Sequence, residues 1–309
     1  MKRGLLLVLV AALTAVSACG ANPPEVEGFL HGSTGTAASV LRQQTDQRLH
    51  DRLPAKIKAR GSLIAVNNGS FPPYTIAGSD GRALRGVSAD LATALGQLLG
   101  IRIENVTVDG LPSQLTGIKA GRYDLTLGPT GDFPKRQKQN DFVDWVKEYV
   151  VFAVRKGNPK HIGSIADTCG LRIAVMSGGS AEDVLREQVH KCAATGKPAP
   201  NIQSYKDQPS AVLAVQADRA DGFFSSQAPL TYFVNMAGKD LQLAGVGKPN
   251  GFDTLYQGAV VPKNGPLRDV LTAAINELVR NGTYGKILSA WKVSHNGLER
   301  AGINLARES

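Results

Sequence analysis

Ala120-Gly121-Arg122-Tyr123-Asp124-Leu125 and Ala217-Asp218-Arg219-Ala220-Asp221-Gly222 share one order. Each runs from the end of a helix through Ala, a small or polar residue, Arg, any residue and Asp, and then into a strand. The echo supports two lobes of similar design, and the sequence around it alternates to match. Ser62 to Val66 reads as a buried strand, ended by Phe71-Pro72-Pro73-Tyr74. Leu91, Leu95, Leu98 and Leu99 stand at helical spacing, with Ser88 as the expected N-cap and Gly100 as the stop. Ile101 to Val108 alternates like a strand, and Leu115 to Ala120 is helical. The order recurs with a strand at Leu171 to Val175, a turn at Ser177-Gly178-Gly179-Ser180, a helix at Ala181 to His190 and another at Val212 to Ala217. Leu267, Leu271, Ile275, Leu278 and Val279 form one helical face closed by Asn281-Gly282, and Tyr284 to Trp291 is a last short helix. Such alternation predicts parallel sheets with both faces covered. Two α/β lobes leave a cleft, and ligands of open α/β sheets sit off the carboxyl ends of strands. The site is therefore sought in four loops: Asn67 to Tyr74, Gly128 to Arg136, Ser177 to Ser180, and Ser225 to Ala228.

Composition allows this. The 309 residues are 42% hydrophobic and 20% charged, enough for two cores and too apolar for a disordered chain. Lys and Arg number 35 against 26 Asp and Glu, for a net charge of +9. These cations are scattered rather than grouped, which argues against nucleic acid and fits a basic exported protein near anionic lipid. Lys2 and Arg3 precede an apolar run, Leu5 to Val16, too short to cross a bilayer as a finished helix and followed by small residues. Residues 1–18 thus read as a signal peptide. Val16-Ser17-Ala18-Cys19 resembles a lipobox, in which Cys19 takes the lipid and anchors the mature chain to the bacterial cell membrane. Losing Lys2 and Arg3 leaves +7 of the +9. Residues 19–52 read as a flexible tether, rich in Gly, Ser and Pro, plus a mostly polar surface helix at Leu41 to Leu53. Of the three cysteines, Cys169 and Cys192 remain. Outside the cytoplasm that pair points to a disulfide, and no His spacing suggests a metal site. No cofactor is expected.

Few residues carry recognisable chemistry. Gly178-Gly179-Ser180 opens a helix after a strand, where free backbone N–H groups favour an anion; Ser180 could instead cap its own helix. Arg136 follows the Gly128-Pro129-Thr130-Gly131 turn, and its guanidinium could fork onto a carboxylate or simply belong to a solvated basic turn. Phe71 and Tyr74 offer an aromatic wall or pack their own loop. There is no phosphate-binding Gly-Lys loop and no His-Glu-x-x-His. Glu182 breaks any Gly-x-Ser-x-Gly around Ser180, and Gly245-x-Gly247 lacks a third glycine. His161, His190 and His295 are isolated. No catalytic residue is assigned, and the chain reads as a non-enzyme.

From about Leu53 to Val293 the chain resembles the family-3 extracellular solute-binding proteins of ABC importers, polar amino-acid group. The likeness rests on Leu53-Pro54-Ala55 with Ile57-Lys58-Ala59-Arg60-Gly61, on Phe71-Pro72-Pro73-Tyr74, and on Gly86 through Asp90-Leu91-Ala92. It continues through Ala120-Gly121-Arg122-Tyr123-Asp124, Pro134-Lys135-Arg136, Asp141-Phe142, and Asn281-Gly282-Thr283-Tyr284 with Trp291. The resemblance implies a type II periplasmic-binding fold: two α/β lobes, a two-strand hinge and an interlobe cleft. Lobe 1 would be residues 53–152 and 256–309, lobe 2 residues 153–255, with crossings near Val151 to Lys156 and Phe252 to Gly258.

By the same likeness Arg136 holds a ligand carboxylate, Phe71 stacks on the ligand, Pro129 and Gly131 form a contacting turn, and Ser180 with Gly179 meets the carboxylate from lobe 2. The family's ammonium-pairing aspartate falls at Ser226, a second acidic position at Asn68, and a frequent tryptophan at Leu111, while Gly131 lacks the usual hydroxyl. A buried ammonium without a carboxylate is costly unless Asp132 or an aromatic face compensates. The expected ligand is thus a small carboxylate-bearing solute whose amine is absent, modified or quaternary. The implied partner is a membrane permease of an ABC importer, served by a monomer without nucleic acid. The alternatives are a ligand-sensing lipoprotein and a cyclohexadienyl-dehydratase-like enzyme, which would need an acid or base such as Asp132 in the cleft.

Overall fold

The computed structural model describes residues 42–78, 83–252 and 254–307. The expected signal peptide, Cys19 and most of the expected tether lie outside the described residues.

One central strand organises each lobe. Ser62–Asn67 lies between Arg102–Thr107 and Leu125–Thr126, all parallel. In the other lobe, Arg172–Met176 lies between Asn201–Tyr205 and Gly222–Ser226, again parallel. The repeated motif holds the start of each central strand. Ala120 and Ala217 cap the helices Leu111–Lys119 and Gln208–Gln216, and Gly121 and Asp218 then turn the chain at positive φ (69° and 54°). Asp124 N–H donates to Ile64 O (2.9 Å), while its carboxylate accepts Ile64 N–H (2.8 Å). Asp221 does the same with Arg172, at 2.7 and 2.8 Å. Each buried carboxylate also takes a guanidinium, Arg60 on Asp124 and Arg172 on Asp221. Such pairing satisfies backbone groups that helix-to-strand turns would otherwise leave open.

The sheets are not wholly parallel, as the alternation had predicted. Asn140–Glu148 and Val150–Arg155 run almost unbroken from one lobe into the other. The first pairs antiparallel with Leu255–Pro262 and Gly297–Ile303, the second antiparallel with Gly222–Ser226 and Leu241–Ala244. A chain that passes directly between lobes has no crossover helix to bring it back parallel. Both strands are buried along nearly their whole length, so they lack the alternation that marks a half-exposed strand.

The larger core joins Leu63, Leu91, Leu95 and Trp145 to the inner face of helix Leu267–Arg280. The other lobe packs Ala153, Phe223 and Leu230 on one side of its sheet and Phe152, Leu185 and Phe224 on the other. Cys169 and Cys192 are bridged, tying the loop before Arg172 to helix Ser180–Ala194.

Three local expectations are corrected. Gly86, not Ser88, caps helix Val87–Leu99. Its φ is 120°, and a side chain there would strike the carbonyls of Pro73 and Tyr74, so only glycine fits. Ser88 is buried two residues later, its hydroxyl donating to Leu127 O at 3.4 Å. The helix expected from Leu41 to Leu53 covers Gln47–Asp51, capped by the Asp46 carboxylate. Leu49 and Leu53 join the larger core, so this segment is docked rather than a polar surface appendage. Helix Ser180–Ala194 outruns its expected end at His190 because Cys192 continues the buried face.

Candidate functional site

The four loops converge on one cavity of about 100 Å³ at the carboxyl ends of both central strands. Asn68, Phe71, Leu111, Pro129, Gly131 and Arg136 line it from one lobe, and Gly179, Ser180 and Ser226 from the other. All nine residues that the resemblance assigned to ligand contact therefore line one cavity. Leu111 is the first residue of helix Leu111–Lys119, one turn earlier than the helix was expected to start, because Pro112 suits a first turn.

Arg136 sits in the one-turn helix Pro134–Gln137. Its Nη1 donates to Gly131 O at 2.9 Å and its Nη2 crosses the cleft to Gly178 O at 2.7 Å. The guanidinium lies over the Phe133 ring, 5.2 Å from the centroid, a cation–π contact that fixes its plane. Desolvation pulls its pKa below the usual arginine value, while Asp183 and Asp132 push back; arginine stays charged throughout. Phe133 also explains the missing hydroxyl: a Cβ on Gly131 would approach its ring to 2.7 Å. Across the cleft, Gly178 has φ of 68°, and a Cβ there would press on Pro112 at 3.1 Å.

The cap of helix Ser180–Ala194 is Gly179, and no side-chain cap bond is made, so Ser180 does not cap its own helix. Glu182 instead holds the turn before the cap, its carboxylate accepting Gly178 N–H at 2.7 Å along with Ser204 Oγ and Arg186. Burial opposes its ionisation, but those three donors hold the carboxyl below its usual pKa. Phe71 stacks on Tyr74 (5.7 Å between centroids, 22° between planes), and Tyr74 meets Trp145 edge-on. Phe71 lines the cavity, whereas Tyr74 is fully buried behind it and packs the loop.

Asp132 does not reach the cavity. Buried behind it, its carboxylate accepts Gln137 Nε2 (2.9 Å) and Ala306 N–H (2.9 Å), next to Asp144, which accepts Leu305 N–H. Burial and the neighbouring Asp132 raise Asp144 to about 8. Asp132 is thus neither an ammonium partner nor a cleft acid. Among the described residues lining the cavity there is no Asp or Glu, and Arg136 is the sole formal charge. Among the described residues no three His, Cys, Asp or Glu are grouped to hold a metal ion.

Asn67, Thr130 and Ser177 fell inside the searched loops without a role of their own, while Gln114 and Gln257 fell outside those loops; all five line the cavity. Thr130 lay between two named residues, and Gln257 inside the second expected crossing. Gln114 gave no sign, since a polar residue on a half-exposed helix looks like surface.

At the join of the lobes, Glu148 is fully enclosed. It accepts Tyr74 Oη (2.5 Å) from one side and Ala228 N–H (3.4 Å) from the other. Burial lifts its pKa to about 7 despite these donors.

Residues 63–294 match the family model of bacterial extracellular solute-binding proteins, family 3. The chain belongs to that family. Arginine-binding protein ArgT of Corynebacterium glutamicum is 27% identical over 256 residues, covering 82% of this chain and 81% of that protein. L-cystine-binding protein TcyA of Bacillus subtilis is 23% identical, covering 94% and 97%. Among solved structures, the amino acid ABC transporter substrate-binding protein AbpA of Streptococcus pneumoniae, bound to L-arginine, superposes with a TM-score of 0.68 at 19% identity, over 78% of this chain and 99% of that one. The fold is that of the periplasmic-binding proteins, and the curated relatives are binding proteins rather than enzymes.

Proposed function

We propose that this family-3 protein captures a small carboxylate-bearing solute between its lobes and delivers it to the permease of an ABC importer. The supporting observation is Arg136: one guanidinium, the only charge in the cavity wall among the described residues, held on an aromatic face with its donors aimed across the cleft. Relatives named for arginine and cystine binding make an amino-acid-like solute the natural class. Against an unmodified amino acid stands the neutral wall, because burying an ammonium without a counter-charge is expensive. The solute's amine is therefore absent or not a free ammonium. Contacts from both lobes favour the closed arrangement, so the solute shifts the equilibrium by its differential affinity.

In this reading residues 53–152 with 256–309 form lobe 1 and residues 153–255 lobe 2, Cys19 carries the lipid, and the body works at the outer face of the cell membrane. Titration calorimetry against amino acids, 2-hydroxy acids and N-acylated amino acids tests the ligand. Arg136→Ala should weaken the best ligand at least tenfold, given about 1.5–3 kcal/mol for a charged hydrogen bond. An unchanged dissociation constant removes the arginine from the site, and tight binding of an unmodified α-amino acid defeats the ligand class.

A further inference from the structure

Gln257 is an uncharged member of the cavity lining. This residue lies on the returning strand Leu255–Pro262, paired with Gly131, whose carbonyl holds Arg136. The strand's register breaks between Gln257 and Gly258, where a side chain on Gly258 would collide with Val143 O. Such a bulge re-aims the side chain beside it. Gln257 is only 3% exposed, yet it lines the cavity. Its Nε2 donates to Ser226 Oγ at 3.2 Å, which holds the amide against the opposite lobe. Its Oε1 is buried with no hydrogen-bond partner. A carbonyl oxygen left unpaired in a protein interior costs stability, and a ligand donor placed there removes the cost.

We infer that Gln257, braced by Ser226, is a specificity-determining residue that accepts a hydrogen bond from an uncharged O–H or N–H of the ligand. Resting on the functional reading above, this narrows its solute to a carboxylate bearing a neutral donor, such as a 2-hydroxy acid or an amide-bearing acid. Arg136 neutralises the carboxylate. A second positive charge on the ligand would face an amide dipole where a counter-ion is needed, whereas a neutral donor needs only the dipole. A quaternary amine, having no hydrogen to give, leaves Oε1 unpaired and is disfavoured too.

L-Arginine and L-argininic acid are matched probes, differing only in ammonium against hydroxyl at the α-carbon. Calorimetry with the full-length protein should show the hydroxy acid binding at least tenfold more tightly. Gln257→Glu supplies the missing charge and should raise affinity for L-arginine at least tenfold over the unsubstituted protein, shifting the ratio of the two affinities toward the amino acid. Gln257→Leu should weaken the hydroxy acid at least fivefold, and melting temperatures without probe check that both variants are folded. The inference is overturned if Gln257→Glu gives L-arginine no gain, or if Gln257→Leu leaves the hydroxy acid unchanged. Arg136→Ala separates the two claims. If it weakens both probes while the Gln257 variants alter nothing, the anion site stands and the role of Gln257 falls; if it weakens neither, the functional reading falls first.

Discussion

The two lobes are alike where their central strands begin and different where those strands end. At the beginnings, Asp124 and Asp221 make the same pair of backbone bonds and take one guanidinium each. At the ends, one lobe brings Arg136 and the aromatic Phe71, while the other brings Gly179, Ser180 and Ser226 with no charge in the cavity wall among the described residues. The shared device holds helix to strand. Binding needs two unlike walls, so the repeat stops there.

The likeness breaks most visibly if either anchor is removed. Asp221→Ala strands the Arg172 backbone N–H and leaves its guanidinium only Asp218, and Asp124→Ala strands the Ile64 N–H and leaves Arg60 only Ser62 O; each should cost about 3 kcal/mol in chemical denaturation. Unequal losses would show that the second device is weaker than its geometry suggests. Only one lobe carries a bridge among the described residues. Cys169 and Cys192 close a loop of 23 residues, so reduction should cost about 3 kcal/mol, with faster amide exchange in helix Ser180–Ala194 and none added around Leu63. On the binding side, Phe71→Ala should weaken the ligand about fivefold, roughly 1 kcal/mol of aromatic contact, a smaller loss than that of Arg136→Ala.

The last effect lies at the join. Glu148, ordinarily near 4.5, stands at about 7 in the folded protein. It keeps its proton over a range where the unfolded chain has lost it, so its contribution to stability is present at low pH and declines as pH rises from about 4.5 to 7. Asp144 acts in the same sense up to about 8. Melting temperature should fall between pH 5.5 and 8, and Glu148→Gln should flatten the lower part of that slope. An unaltered slope would assign the effect to Asp144 alone.

The cavity was legible because its residues sit in loops punctuated by Gly, Pro and Ser, at strand ends whose direction the alternation of elements revealed. Phe71, Pro129, Arg136 and Ser180 each stand beside such a signal. Gln257 does not: it lies mid-strand, turned by a bulge that depends on the crowding of Gly258 against Val143, a long-range fact. The same limit hid the antiparallel strands Asn140–Glu148 and Val150–Arg155, whose burial on both faces erases the period of two. Asp132 was misread for a related reason. Its place beside Gly131 suggested the cleft, but its backbone N–H binds Tyr256 O and its carboxylate turns back to Gln137 and Ala306.

That backward turn has a practical side. Residues 305 and 306 are stitched to Asp144, Asp132 and Gln137, and Gln137 is the immediate neighbour of Arg136. Trimming the polypeptide after residue 303, or hauling on that end with a bulky fusion, would slacken the turn from behind. Surface immobilisation and fluorescent reporters are better attached through the opposite terminus.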